Sequence, residues 1–135
     1  MRHLIQQNDL EDRFELDSAG TIGYHTGNPP DPRMTQATEN RGIAVSGRAR
    51  QVKVKDFNRF DWILAMDEDN FQDLLQLQQQ SSNPQAKLVK FCKFCSDHDD
   101  IDVPDPYYGG AEGFEKVLDL LQDGCAGFIK KVVTT

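Results

Sequence analysis

Long apolar runs and an excess of basic residues are both missing from this sequence of 135 residues. No apolar run approaches the roughly 20 residues of a membrane-spanning helix, and Met1-Arg2-His3 leads into no signal-peptide core. Lys and Arg number 15 against 22 Asp and Glu, which gives a net charge of -7. Because nucleic-acid binding depends on cations that neutralise phosphates, this charge argues against it. The sequence predicts a cytoplasmic protein without nucleic-acid or membrane partners and leaves its oligomeric state open.

Cysteine is also scarce, since the chain has only three. Cys92 and Cys95 form a Cys-x-x-Cys pair with His98 close behind, a spacing that occurs in zinc sites and in redox pairs. Zinc needs four ligands, however, and the remaining Cys125 falls on the apolar stripe of a predicted helix. Core or loop thiols in a reducing cytosol are the better interpretation. We therefore predict neither a metal nor a cofactor, and keep a metal or redox protein as an alternative.

Helical and strand patterns alternate along the chain, as in an α/β domain. Residues 62–66 are apolar on both faces and predict a strand inside a parallel sheet. Further strands are predicted at 14–17 and 87–91, with a turn at 18–21. Helices are predicted at 1–7, 33–40, 56–60, after Asp67 and at 112–132, with Asp31 and Asp67 as N-caps and Gly42 as a stop. The predicted fold is a single doubly wound α/β domain, a parallel sheet flanked by helices.

The stretch from Val103 to Gly110 is the most unusual in composition. Two prolines fix the backbone on either side of Asp105, which keeps this carboxyl on a stiff, extended segment. Two aromatic residues and two glycines follow, so flat walls stand beside a backbone that can turn sharply. A carboxyl held in this way at the rim of a pocket can give a proton to a departing oxygen. The alternative is a surface turn with solvated tyrosines.

Five motifs along the chain together carry a family resemblance. They are DSAGT from Asp17, GNPPDPR from Gly27, ARQ from Ala49, FDWILAMD from Phe60 and DPYYG from Asp105. In this order and spacing, they resemble the low-molecular-weight protein-tyrosine phosphatases, especially the cyanobacterial and plant type. The resemblance extends from Met1 to the final predicted helix, so it implies that residues 1–135 are one phosphatase-like domain.

The resemblance implies roles for individual residues. Asp105 matches the general acid, which protonates the tyrosyl oxygen while a thiolate attacks phosphorus, and then helps water to attack the phosphocysteine. Tyr24, Tyr107 and Tyr108 match the walls that stack on a phosphotyrosine ring. Ser18 matches a serine that hydrogen-bonds the phosphate-binding loop. The implied substrate is a phosphotyrosine protein or a small phosphomonoester.

One motif of the family is missing from the 135 residues. The family's nucleophile lies in a phosphate-binding loop, Cys-x5-Arg-Ser/Thr, between the first strand and the first helix. The residues found six positions after the three cysteines are His98, Ile101 and Lys131, none of which is arginine. The resemblance therefore implies an N-terminally truncated domain without the first strand, inactive as given. A non-catalytic remnant that acts as a binding protein is the alternative.

Several of the matching residues also have purely structural interpretations. Ser18 can close the turn after its strand, and Asp67 suits a helix cap better than a site residue. Arg50 can be an ion-pair partner, and Tyr24 can be exposed in its polar loop.

Overall fold

The computed structural model describes residues 1–21, 31–44, 50–104 and 110–134. The helices are α1 (Arg2–Gln7), α2 (Pro32–Glu39), α3 (Asp56–Arg59), α4 (Glu68–Gln80) and α5 (Gly110–Thr134), and the strands are β1 (Trp62–Ala65) and β2 (Lys87–Lys90). Short 3₁₀ helices lie at Glu11–Arg13 and Phe91–Phe94. The predicted helices and the predicted strands at 62–66 and 87–91 are thus confirmed within one or two residues at most ends.

The two strands form a parallel sheet with helices on both faces. Trp62 pairs with Lys87 at one end and Ala65 with Lys90 at the other. Leu64 packs into a cluster with α5 residues, whereas Ile63 and Ala65 pack into a second cluster with α4 residues. Because side chains alternate between the faces of a strand, β1 is covered on both sides. This confirms the prediction from its unbroken apolar sequence.

The prediction of a strand at 14–17 is wrong. Phe14 has extended backbone angles, φ -132° and ψ 135°, but residues 14–17 make no ladder pairing within the described part of the chain. The first ladder contact comes later, at Gly20, which forms a parallel bridge with Gln51. The Gly20 N–H donates to the Arg50 carbonyl at 2.8 Å, and the Val52 N–H to the Gly20 carbonyl at 2.9 Å. An extended backbone becomes a strand only through such bonds, and here they form where the sequence predicted a turn.

Helix ends follow the residues expected to set them. The Asp31 carboxylate accepts a hydrogen bond from the Arg33 N–H at 2.8 Å, and Asp67 accepts one from the Asn70 N–H at 2.7 Å. Gly42 has a φ of +76°, which suits glycine because it has no Cβ to clash. Side-chain caps are the usual start signals of helices, and glycine after the C-terminus is the usual stop signal. Both predicted caps and the predicted stop are confirmed.

Helix α5 packs against the 3₁₀ helix Phe91–Phe94 at very short range. A Cβ added at Gly127 would lie 1.9 Å from the Phe94 carbonyl oxygen, and one at Gly124 would lie 2.4 Å from the Phe91 ring. Leu120 is fully buried nearby. Long as α5 is, neither it nor another helix in the described ranges is apolar enough to cross a membrane. Its apolar stripe instead builds the core on this face of the sheet.

Candidate active site

The segment that leads into Asp105 lies at the carboxyl end of the sheet. The Val103 N–H donates a hydrogen bond of 2.8 Å to the carbonyl of Met66, the residue that follows β1. Val103 is buried and packs against Phe91 and Cys92, so the backbone is anchored two residues before Asp105. The carboxyl ends of parallel strands are where α/β proteins place their sites. The predicted site residues Asp105, Tyr107, Tyr108 and Tyr24 themselves lie outside the described residues.

A lysine at the end of β2 joins this segment to the sheet. Lys90 is only 9% exposed, and its Nζ lies 3.0 Å from Glu68 Oε2 in the first turn of α4. The same ammonium forms an ion pair with Asp102. The bond to Asp102 raises the pKa of Lys90, burial opposes it, and the bond to Glu68 adds to the increase. The lysine therefore stays protonated between two carboxylates.

Ser18 lies in a second polar region, next to an arginine bridge. Its side chain is exposed, and its N–H donates to its neighbour Asp17 at 2.8 Å. Arg50 Nε lies 3.1 Å from Asp17 Oδ2, and Arg50 NH1 lies 3.0 Å from Asp56 Oδ2. Arg50 thus spans two carboxylates, as its interpretation as an ion-pair partner predicted. Ser18 is placed by this bridge, but the structure does not test its role beside a phosphate loop.

Asp56 is the buried end of the bridge. Only 4% of this residue is exposed, and its Oδ2 also accepts a hydrogen bond of 2.8 Å from the Lys53 N–H. Burial acts to raise the pKa of Asp56, but the bonds from Arg50 and Lys53 outweigh it and hold the pKa below its usual value. The carboxylate therefore stays charged at neutral pH. A cleft of about 420 Å³ adjoins it, lined by Asp17, Arg50, Gln51, Lys53, Lys55, Asp56 and Arg59.

The three cysteines are poor candidates for a nucleophile. Burial raises the pKa of Cys92 and of Cys125, and it raises the pKa of Cys95 to about 12, with Asp123 as the next contribution. Since only the thiolate is a strong nucleophile, these raised pKa values leave all three mainly as protonated thiols, and so as weak nucleophiles, at neutral pH. Across the described ranges, no group of three His, Cys, Asp or Glu side chains is placed to hold a metal ion. The zinc alternative therefore gains no support.

His98, the third residue of that alternative, is occupied elsewhere. Its Nδ1 lies 2.8 Å from Asp123 Oδ2, and the same carboxylate accepts hydrogen bonds of 2.9 Å from the N–H groups of Ser96 and Asp97. Burial acts to raise the pKa of Asp123, yet the bonds from His98, Ser96 and Asp97 hold it well below its usual range. Asp123 therefore ties the start of the 96–104 segment to α5.

Sequence reasoning missed three of these residues, namely Asp56, Lys90 and Asp123. Each is a charged residue that its local pattern predicts to be exposed, and each is buried or half-buried because its partner comes from a distant part of the chain. The interpretation of Arg50 as an ion-pair partner gave the only hint of Asp56, because such an arginine needs an acidic partner. No comparable hint exists for Lys90 or Asp123.

A parallel sheet flanked by helices, with Lys90 and its two carboxylate partners at the carboxyl end, defines an α/β protein with its polar cluster where such proteins place their sites. The sequence matches the family model "Low molecular weight phosphotyrosine protein phosphatase" over residues 1–135. It is 45% identical over 129 residues to a Synechocystis sp. protein named as a candidate low molecular weight protein-tyrosine-phosphatase, which covers 96% of this chain and 82% of that protein. It is 35% identical over 130 residues to the Homo sapiens low molecular weight phosphotyrosine protein phosphatase, again covering 96% and 82%.

A solved structure agrees with these relatives. The protein tyrosine phosphatase from Entamoeba histolytica, with Hepes in its active site, superposes with a TM-score of 0.90 and 39% identity, over 98% of this chain and 84% of that one. The chain belongs to the low molecular weight phosphotyrosine protein phosphatase family. This confirms the family resemblance and the predicted α/β fold.

Proposed function

We propose that this chain carries the general acid of a protein-tyrosine-phosphatase-type phosphomonoester hydrolase, with Asp105 in that role. The family match, which runs through all 135 residues and so through Asp-Pro-Tyr-Tyr-Gly, carries the proposal. The anchoring of Val103 beside Met66 supports it, because it fixes the backbone two residues before this motif at the carboxyl end of the sheet, where sites form. The substrate is a phosphotyrosine protein or a small phosphomonoester, met in the cytoplasm.

The chemistry divides into two steps around the same carboxyl. In the first, a cysteine thiolate forms a bond to phosphorus as the bond to the ester oxygen breaks, and Asp105 gives its proton to that oxygen. In the second, the Asp105 carboxylate takes a proton from water while the water oxygen attacks the phosphocysteine, which releases phosphate and the thiolate. The acid is regenerated, so no cofactor or metal is needed.

The aromatic residues and Ser18 supply binding and support. Tyr24, Tyr107 and Tyr108 form walls on which the ring of a phosphotyrosine stacks, a contact that favours aromatic over aliphatic esters. Ser18 hydrogen-bonds the loop that holds the phosphate, and Arg50 keeps the preceding Asp17 in place at 3.1 Å. These residues position the substrate and the nucleophile without exchanging protons with them.

The 135 residues by themselves are proposed to be inactive. They contain no Cys-x5-Arg-Ser/Thr sequence, and burial keeps the pKa of Cys92 and Cys95 high. Without a thiolate next to a phosphate-binding arginine, neither step above can start.

A direct assay tests both halves of the proposal. The 135-residue chain is compared with a longer version in which a strand and a Cys-x5-Arg-Ser loop precede Met1, using p-nitrophenyl phosphate and a phosphotyrosine peptide. We expect hydrolysis by the longer version only, and none when its loop cysteine is changed to serine. An inactive longer version that folds would favour the non-catalytic binding protein. Activity of the 135-residue chain that disappears with Cys92→Ser, Cys95→Ser or Cys125→Ser would place the nucleophile at that residue instead.

A further inference from the structure

One lysine holds the segment that leads into Asp105. Lys90 ends β2, and its ammonium bridges Glu68 in the first turn of α4 and Asp102, three residues before Asp105. We propose that Lys90 is a positioning residue for the general acid, an inference that rests on the function proposed above for Asp105. Its cation fixes Asp102 against the sheet, and thereby fixes where the carboxyl of Asp105 can reach.

The link from Lys90 to Asp105 is short and stiff. Next to Asp102, the Val103 N–H bonds to the Met66 carbonyl at 2.8 Å, and the Val103 side chain is buried in the core. Pro104 follows with its φ fixed by the ring. Only Val103 and Pro104 separate Asp102 from Asp105, so we expect a shift at Asp102 that loosens Val103 to reach Asp105 as well. A displacement of about 1 Å at a reacting group can reduce a rate a hundredfold.

Electrostatic repulsion should move the 102–104 segment, rather than helix α4, when the Lys90 cation is removed. Without Lys90, the carboxylates of Glu68 and Asp102 face each other without a counter-charge. Glu68 is held by helix α4, whose first turn is also capped by Asp67. Asp102 lies outside any helix or strand. Its Oδ1 atom beside Lys90 is buried, but 43% of the side chain is exposed, so we expect the carboxylate to turn toward water once the cation is removed. We therefore expect the repulsion to release the 102–104 segment.

Amide hydrogen exchange in the 135-residue chain tests this. Lys90→Met removes the charge and keeps an unbranched stem. We expect it to raise the exchange rate of the Val103 amide about tenfold, while amides of β1 remain within twofold of the parent chain. Lys90→Arg keeps the cation and should restore slow exchange. If Lys90→Met does not fold, Asp102→Asn removes the other half of the same ion pair at a half-buried residue and provides the same test.

The two carboxylate partners of Lys90, Glu68 and Asp102, provide a matched control. Asp102→Asn should speed Val103 exchange as Lys90→Met does. Glu68→Gln should not, because the backbone of Glu68 is held by helix α4. Equal effects of the two carboxylate variants, or a general rise that includes β1, would overturn the proposal and leave Lys90 an ordinary stabilising residue. So would unchanged Val103 exchange in Lys90→Met.

A kinetic measurement separates this proposal from the proposed function. In the longer version with the nucleophile loop, Lys90→Met should lower kcat about tenfold and leave KM unchanged. An unchanged kcat in an otherwise active enzyme contradicts the role of Lys90 alone. Loss of all activity in the unsubstituted longer version contradicts the proposed function, and the exchange experiment does not depend on it.

Discussion

At the scale of single residues, Arg50 joins two carboxylates that lie far apart in the sequence. Its guanidinium contacts Asp17 at 3.1 Å and Asp56 at 3.0 Å, and its carbonyl accepts from the Gly20 N–H. The side chains of the two aspartates differ in exposure, 42% for Asp17 and 6% for Asp56. The buried one matters more for stability, because a buried carboxylate has no water to replace a lost partner.

Arg50→Met should therefore destabilise the fold by about 2 kcal/mol, a value discounted because Arg50 itself is partly exposed. Arg59→Met is the matched control. Arg59 pairs with Glu15, and both side chains are more than half exposed, so its loss should cost less than about 0.5 kcal/mol. Urea unfolding of the two variants measures the difference. Equal losses would mean that the burial of Asp56 carries no energetic weight.

At the scale of secondary structure, the sequence predicted what local interactions decide. The cap at Asp67 and the stop at Gly42 depend on neighbouring residues only, and both are confirmed. The strand at 14–17 failed because a strand depends on partners elsewhere in the chain, and the described residues supply one only at Gly20. Lys90 was missed for the same reason, since its burial is set by Glu68 and Asp102.

The contact between α5 and the 3₁₀ helix at Phe91–Phe94 predicts that alanine at position 127 destabilises the fold, whereas helix propensity alone predicts the opposite. Alanine normally stabilises a helix over glycine by up to about 1 kcal/mol. Gly127→Ala, however, would place its Cβ 1.9 Å from the Phe94 carbonyl oxygen, and a backbone atom cannot rotate away. We expect a net loss of about 1–3 kcal/mol in the free energy of unfolding.

The neighbouring Ala126 provides the control for that substitution. It is exposed, so Ala126→Gly reports the propensity term alone, a loss of about 1 kcal/mol. Thermal or urea unfolding gives both values. A stabilising Gly127→Ala would show that α5 can move away from Phe94 at little cost.

At the scale of the whole molecule, acid should unfold this protein partly through Asp123. Its pKa is depressed in the folded state, so the stability that its bonds supply is complete above its ordinary value of 3.8. That stability is lost as the pH falls below this value toward the folded pKa. The difference in unfolding free energy between the parent chain and Asp123→Asn should thus shrink as the pH falls from about 5 to below 4.

Asp99, an exposed residue of the same loop, gives the reference. Asp99→Asn should leave the free energy of unfolding within about 0.5 kcal/mol of the parent chain at every pH. Urea titrations of the parent chain and of both variants at pH 7, 5 and 3.5 measure these free energies of unfolding. A difference between Asp123→Asn and the parent chain that grows between pH 5 and pH 3.5 would contradict the depressed pKa of Asp123.

The site could be predicted only in part from the sequence. Asp105 and the three tyrosines came from the family resemblance, because a Pro-Asp-Pro sequence alone does not distinguish an acid from a surface turn. The family is confirmed, and the roles of these residues stay predictions. The contacts by which Lys90 and Asp123 hold the segment before Asp105 could be found only in the three-dimensional structure.

The most direct test of Asp105 as the general acid is Asp105→Asn in the longer version with the nucleophile loop. The variant is assayed on aryl phosphates whose leaving groups differ widely in pKa. The amide keeps the shape of the carboxyl but has no proton to give. We expect kcat to fall 10²–10⁴-fold for esters with basic leaving groups, with KM nearly unchanged. The loss should shrink for p-nitrophenyl phosphate, whose leaving group is already a stable anion. Equal losses across the series would contradict proton donation by Asp105.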